Sequence, residues 1–377
     1  MIFEAFLRWS ETAKAQNRAE AASLLGKAVG HSQLDTEKKQ VANIAAAYML
    51  DDLSPKVRMA LADSLADDPN APRAIILALT EDQVDIAMTV VSRSPVLKDG
   101  DLIDIAGRGS KELRAAVAVR KPLSGPVAAA LVEVGRKLDI LLLLRNNEAH
   151  ITPNVLVRLA SRFGGDATIR ELLFDRSHLP ATARHILIEK LGEALTGADL
   201  VQALLPSRKI ERLRRDACDA ALVDVLADAN ESELVEVADH MRREGRLSTA
   251  FLLHALSAGR TTFFSECIAN LSGVARARVR SILASGRPRA VRALIEAAGI
   301  GRDVSAIFCE AVEIWREQGG ELPGSSGIFM DLAERCRHRS DLGERALPLI
   351  DFVERLGINR LRKHVNTFAQ DFMLNAA

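Results

Sequence analysis

The feature that most constrains the fold is a short helical pattern that recurs along the first half of the chain. Its first copy is Val57-Arg58-Met59-Ala60-Leu61, and five aligned copies begin at residues 57, 84, 113, 138 and 169. The steps of 27, 29, 25 and 31 residues each accommodate two short helices and two turns. Helix pairs of this size cannot bury their apolar faces alone and must stack on their neighbours. We therefore predict an all-α fold built on an α-solenoid of about five helix pairs.

Prolines mark where the second helices of these pairs start. Four of the five expected starts carry one: Pro72, Gly100, Pro126, Pro153 and Pro180. Proline suits the first helical position because its missing N–H would be unsatisfied there anyway. In the first pair, we expect Ser54 to cap the helix through its hydroxyl, with Pro55 at the first helical position. We expect Leu61 and Leu141 to be buried between repeats.

The pattern at residues 51–65, an acidic residue followed by Pro, Val-Arg and Ala-Leu, resembles HEAT-type repeats. The later copies depart from it, since Asp85 and Asp139 stand where the first copy has Arg58. The resemblance implies the repeat architecture and no particular activity. We interpret Arg58 and Arg114 as members of a ladder of ion pairs between successive repeats.

Composition agrees with a helical array in the cytoplasm. The 377 residues exceed one typical core, are 48% hydrophobic and only 4% aromatic, and suit the packing of small residues between helices. Fifty basic and fifty acidic side chains cancel, so no global field attracts nucleic acid or an anionic membrane. Charged residues interrupt the first apolar segment, and no apolar run reaches membrane-spanning length. Four cysteines without a CxxC pair indicate buried free thiols.

Helical patterning continues beyond the repeats, but the period is lost near residue 195. A glycine-rich stretch then interrupts the helical patterning near residue 320. The predicted segments are an N-terminal helical cap (1–50), the HEAT-like array (51–195), a helical extension (196–318), a flexible loop (319–327) and C-terminal helices (328–377).

A second resemblance rests on three stretches after the repeats. These are Leu253-His254-Ala255-Leu256, the segment from Gly259-Arg260-Thr261-Thr262-Phe263-Phe264 to Gly273, and the segment 290–299. Together with the repeats, they are similar to a family of uncharacterised, mainly alphaproteobacterial proteins with HEAT-like repeats, over roughly residues 50–300. The resemblance implies a bacterial cytosolic setting and brings no activity with it.

One local charge anomaly stands out after the array. Residues 267–295 contain no Asp, Glu or Lys but six arginines: Arg276, Arg278, Arg280, Arg287, Arg289 and Arg292. They could form a basic patch for phosphate, nucleic acid or an acidic protein. The alternative is an arginine face neutralised by carboxylates from other helices, and we expect internal pairing for at least one of them, Arg280 above all.

The sequence favours a binding protein over an enzyme. It contains no His-Glu-x-x-His, Gly-x-Ser-x-Gly, P-loop or Gly-x-Gly-x-x-Gly motif, so we predict no catalytic, cofactor-binding or metal-binding residue and no cofactor. The leading hypothesis is a non-enzymatic scaffold or adaptor with a protein partner. The second is a binder of nucleic acid or an anionic ligand through the arginines at 276–292. A third is an enzyme with a site between the array and the C-terminal part.

Overall fold

The structure, a computed structural model, describes residues 2–30, 36–318, 328–339 and 342–375. In these ranges it contains 23 α-helices, one short 3-10 helix and no β-strand, which confirms the all-α prediction. The predicted loop at 319–327 lies outside the described residues. The chain divides into two compact units, Met1–Ser177 and His178–Ala377, described separately below. The five segments expected from the sequence stay a prediction.

The described part of the first unit is a succession of short helices. Their bounds are α1 (Ile2–Thr12), α2 (Ala15–Gly30), α3 (Thr36–Met49), α4 (Pro55–Leu65), α5 (Arg73–Thr80), α6 (Val84–Arg93), α7 (Asp99–Arg108), α8 (Lys111–Ala118), α9 (Gly125–Val134), α10 (Lys137–Arg145), α11 (Pro153–Phe163) and α12 (Ala167–Phe174). The aligned sequence blocks fall on the even-numbered helices α4 to α12. Each of these helices packs against the next even-numbered one, as stacked helix pairs require.

Ion pairs between successive first helices support this stack. The Arg58 guanidinium on α4 donates from Nε and Nη2 to the two carboxylate oxygens of Asp82, before α6, at 2.7 and 2.9 Å. In the same way, Arg114 Nε on α8 lies 3.3 Å from Asp139 Oδ2 in the first turn of α10. The interpretation of Arg58 and Arg114 as an ion-pair ladder is therefore confirmed. The bidentate geometry of the Arg58–Asp82 pair favours arginine at residue 58, because its planar fork matches the carboxylate.

Two local expectations in the array were wrong. Ser54 occupies the N-cap position of α4, but its hydroxyl makes no capping hydrogen bond, and its own amide donates to Asp52 Oδ1 at 2.8 Å. Leu61 is fully buried as expected, whereas Leu141 is only partly buried. In α10 the core position belongs instead to Leu143, which has no exposed surface. Four consecutive leucines at 141–144 define no single apolar stripe, so the sequence left the rotation of this helix open.

The second unit is also helical throughout its described residues. Its helices are α13 (Ala181–Thr196), α14 (Asp199–Leu204), α15 (Ser207–Val225), α16 (Glu231–Arg243), α17 (Thr249–Ser257), α18 (Thr261–Ser272), α19 (Arg276–Ser285), α20 (Pro288–Ala297), α21 (Arg302–Glu317), α22 (Phe329–Arg337), the 3-10 helix Glu344–Ala346 and α23 (Leu347–Asn375).

Helices α17 and α18 form the centre of the second unit. Every residue from Phe251 to Ser257 and from Phe263 to Ala269 is buried, so these parts of the two helices are enclosed on all sides. Phe251 packs edge-on against Phe263, and Phe264 stacks on Phe308 of α21 with ring centroids 5.9 Å apart. Helix α18 packs against α16, α17, α19 and α20. The segment singled out in the sequence is therefore the core of this unit.

No helix among the described residues is long and apolar enough to cross a bilayer. All four cysteines are free; Cys218, Cys267 and Cys336 are buried and Cys309 is partly buried, close to the expectation from their spacing. Burial raises the pKa of the Cys218 thiol to about 11, which keeps it protonated and unreactive at neutral pH.

Candidate binding site on the second unit

A fully buried carboxylate lies in the core of the second unit. Glu266 on α18 has no exposed surface, and two arginines from α19 neutralise it. Arg280 Nη2 donates to Glu266 Oε1 at 2.8 Å, and Arg276 Nε lies 2.9 Å from Oε2 as an ion pair without a well-aligned hydrogen bond. Gly273, in the left-handed region at φ 69°, ends α18 and reverses the chain so that α19 begins at Arg276. A short turn thus places both guanidinium groups beside the carboxylate.

Arg280 extends this charge cluster to a third helix. Its guanidinium also pairs with Glu231, the first residue of α16. The hydrogen bond to Glu266 and then that to Glu231 raise the pKa of Arg280 above its ordinary value. A buried carboxylate is tolerated only when opposite charge and hydrogen bonds compensate its lost hydration. The cluster of Glu231, Glu266, Arg276 and Arg280, called the charge cluster below, therefore ties α16, α18 and α19 together.

A cavity of about 530 Å³ lies beside the charge cluster. Its volume is within the range of small-ligand sites and of pockets that accept a partner's side chains. Five polar residues line part of it: Glu231, Thr261, Thr262, Ser265 and Arg280. The remaining lining is apolar: Ala229, Leu234, Leu256, Phe264, Leu283, Ala284, Val312 and Trp315. We call this the α18 cavity.

Exposed residues lie at the border of the α18 cavity, and buried residues form its wall. Thr262 and Ala284 are exposed and Trp315 is partly buried, whereas Phe264 is fully buried. The Ser265 hydroxyl is used internally, since it donates to the Thr262 carbonyl at 2.7 Å. The cavity can therefore accept an apolar group, and Glu231 and Arg280 at its border can orient a polar or charged neighbour of that group.

The structure separates the six arginines singled out in the sequence into two sets. Arg276 and Arg280 are paired with Glu266, which agrees with the expectation for Arg280. The other four make no ion pair within 4 Å among the described residues, and none of them lines the α18 cavity: Arg278, Arg287, Arg289 and Arg292. Arg278, Arg287 and Arg289 are exposed, and Arg292 is partly buried. Of the six, Arg276 and Arg280 share one carboxylate partner, and binding of an anion by the arginines stays a prediction.

Sequence reasoning missed three residues that shape this site: Glu231, Glu266 and Trp315. The arginine-rich run was counted from Cys267, one residue after the carboxylate that neutralises two of its members. A helical count from Glu266 across the Gly273 turn could have suggested the pairing. Nothing local could have suggested Glu231, since it is 49 residues from Arg280 along the chain.

The stacked helices of the described residues define an all-α helical-repeat protein. A family model described as "Uncharacterised protein conserved in bacteria (DUF2336)" matches residues 86–340, which is more than half of the chain. The chain belongs to this family, and the matched segment includes every residue that lines the α18 cavity. Comparisons with curated proteins and with solved structures found no match.

Proposed function

We propose that the protein is a cytoplasmic, non-enzymatic scaffold or adaptor of HEAT-like type, and that the α18 cavity receives a protein partner. The observation that carries this proposal is a mostly apolar cavity of about 530 Å³ with an accessible border and a charged pair at its edge. Protein interfaces concentrate binding energy where an apolar anchor side chain fills a desolvated pocket surrounded by polar groups. The lining of the α18 cavity supplies both parts.

The partner that fits this surface is an amphipathic helix. One large apolar side chain, such as Leu or Phe, would fill the space between Phe264, Leu283 and Trp315. Charged side chains one turn away would meet Glu231 and Arg280, which have opposite signs and so favour a partner carrying both. The charge cluster keeps the cavity wall in place before binding, which limits the entropy lost when the complex forms.

The second candidate function is binding of nucleic acid or another anionic ligand through the arginines between Arg276 and Arg292. One observation favours it: Arg278, Arg287 and Arg289 are exposed, and no described carboxylate lies within 4 Å of them. Exposed guanidinium groups can form bidentate bonds to phosphate. This function would make binding fall steeply with salt, because each neutralised phosphate releases counterions.

Affinity capture from a native bacterial lysate, followed by mass spectrometry, tests both candidates. The bait is the wild-type chain, and the key variant is Ala284→Arg, which places a long charged side chain at the border of the α18 cavity. Ala293→Arg is the matched control, because Ala293 is an exposed alanine on the neighbouring helix α20 and does not line the cavity.

We expect a protein that wild type and Ala293→Arg capture equally and that Ala284→Arg loses, with no effect of nuclease. Equal capture by all three baits would exclude the α18 cavity as the contact site. Capture abolished by nuclease and by moderate salt would favour the second candidate function.

A further inference from the structure

The second unit contains another cavity, of about 450 Å³, bordered by α15, α17, α22 and α23. None of the residues that line it belongs to the α18 cavity or to the charge cluster. Its lining combines aromatic rings, arginines and carboxylates. None of these groups takes part in the proposed contact with a protein partner, so the cavity is considered as a separate site.

The apolar part of the lining is aromatic. His254 on α17 is only 5% exposed, and its ring meets Phe329 and Phe352 edge-on, with centroid distances of 5.9 and 6.3 Å. Its Nδ1 atom is buried and has no hydrogen-bond partner among the described residues. Burial lowers the pKa of His254 to about 4, so the imidazole is neutral at physiological pH. A buried polar atom without a partner is costly, and a ligand in this cavity could supply the missing hydrogen bond.

Three arginines supply positive charge to the same cavity: Arg212 on α15, and Arg355 and Arg360 on α23. No carboxylate lies within 4 Å of these guanidinium groups in the part of the chain that the structure describes. Arg360 also lies over the Phe329 ring, 5.8 Å from its centroid. Guanidinium groups held beside a cavity bind phosphate through paired, charge-assisted hydrogen bonds.

The two carboxylates of the lining, Asp216 and Asp224, indicate which class of ligand the cavity can bind. Asp224 is paired with Lys363 at 2.7 Å, whereas Asp216 has no basic side chain within 4 Å among the described residues. A carboxylate in a basic cavity is unfavourable for an inorganic anion alone, because like charges repel. It suits a ligand that carries both an anionic group and hydroxyl or amino donors.

We propose that this cavity binds a nucleotide. Arg212, Arg355 and Arg360 would bind its phosphate, and the base would pack against Phe352 and hydrogen-bond to His254. Asp216 would accept hydrogen bonds from the ribose hydroxyls. Base packing on aromatic rings and arginine contacts to phosphate recur in nucleotide recognition, and the volume of about 450 Å³ is within the range of such sites. This assignment does not depend on the scaffold function.

Isothermal titration calorimetry on the full chain tests the proposal. The probes are the four common ribonucleoside monophosphates and diphosphates, with their 2′-deoxy forms, inorganic phosphate and adenosine for comparison. Arg355→Gln/Arg360→Gln removes two phosphate ligands. Arg242→Gln/Arg243→Gln is the matched control, since both are exposed arginines of α16 in the same unit and outside the cavity lining.

We expect one-to-one binding of at least one nucleotide, with inorganic phosphate and adenosine weaker by at least about tenfold. Arg355→Gln/Arg360→Gln should weaken nucleotide binding by about tenfold or more, and the control pair should leave it unchanged. Asp216→Asn should remove any preference for the ribonucleotide over its deoxy form. The proposal is overturned if none of the nucleotides binds, if inorganic phosphate binds as tightly, or if the Arg355/Arg360 variant binds like wild type.

Discussion

The charge cluster makes a sharp prediction because its carboxylate and its arginines differ in exposure. Glu266 has no exposed surface, whereas the side chains of Arg276 and Arg280 are 49% and 45% exposed. Removing the negative charge leaves two arginines that water can reach, and Arg280 keeps Glu231. Removing the positive charges leaves a carboxylate in the core without compensation. The two perturbations should therefore have very different costs.

The expected magnitudes follow from these exposures. Glu266→Gln loses charge-assisted hydrogen bonds and should lower the free energy of unfolding by about 1–2 kcal/mol. Arg276→Gln/Arg280→Gln should cost about 3–5 kcal/mol, as when one partner of a buried ion pair is removed. The triple variant Glu266→Gln/Arg276→Gln/Arg280→Gln should be more stable than the double arginine variant, because it lacks the uncompensated carboxylate. We expect a coupling energy of about 1–3 kcal/mol between Glu266 and the two arginines.

The assay is urea unfolding followed by the fluorescence of Trp315, in a background carrying Trp9→Phe. The chain has two tryptophans, so the signal then reports the second unit alone. Matched controls are Arg278→Gln and Arg289→Gln, at exposed arginines without an ion pair among the described residues, where a change below about 0.5 kcal/mol is expected. If Glu266→Gln costs as much as the double arginine variant, or if the triple variant is less stable than the double, the proposed role of the cluster is wrong.

Two further predictions concern stability. Leu143→Asp should place a charge in the core of the first unit and lower the free energy of unfolding by several kcal/mol, whereas Leu141→Asp should lower it much less because Leu141 is partly exposed. Circular-dichroism melts compare the two variants, and equal losses of stability would refute the packing of α10. Burial lowers the pKa of His185 and of His254 from 6.5 to about 4, so the unfolded chain binds more protons than the folded one between these pH values. The free energy of unfolding should therefore fall as the pH drops from about 6.5 to 4, by up to about 3 kcal/mol per histidine. The partly buried Asp219, whose pKa is raised to about 6 by desolvation, offsets part of this loss. His185→Gln should flatten the pH profile measured by urea unfolding, and an unchanged profile would contradict the role assigned to His185.

The repeat array was predictable because its signals are local. Helical spacing, prolines at helix starts and the recurrence of one pattern place the starts of the helices α4 to α12 close to where the structure has them. The rotation of α10 was not predictable, since any of the leucines at 141–144 could face the core. The hydroxyl cap at Ser54 failed for another reason: the Val57 amide, which such a cap would bind, donates instead to the backbone carbonyl of Ser54 at 3.0 Å.

The candidate site was predictable only in part. The sequence identified Arg280 and predicted that it is paired internally, because six arginines without a nearby carboxylate need compensation from elsewhere. It could not locate Glu231 or Trp315, since these residues line one cavity with Arg280 only after α16, α19 and α21 have packed around α18. The α18 cavity is a product of tertiary packing and has no local sequence pattern.

The most direct test of the central claim is site-specific photo-crosslinking inside bacterial cells that express the protein. A photoactivatable amino acid replaces Thr262, an exposed residue that lines the α18 cavity, and Arg243, exposed on α16 and outside the lining, gives the control position. We expect irradiation to attach one discrete protein at position 262 and none at position 243, and Ala284→Arg to abolish the adduct. An adduct of nucleic acid at position 262, or the same protein adducts at both positions, would contradict the assignment of the α18 cavity as the binding site for a protein partner.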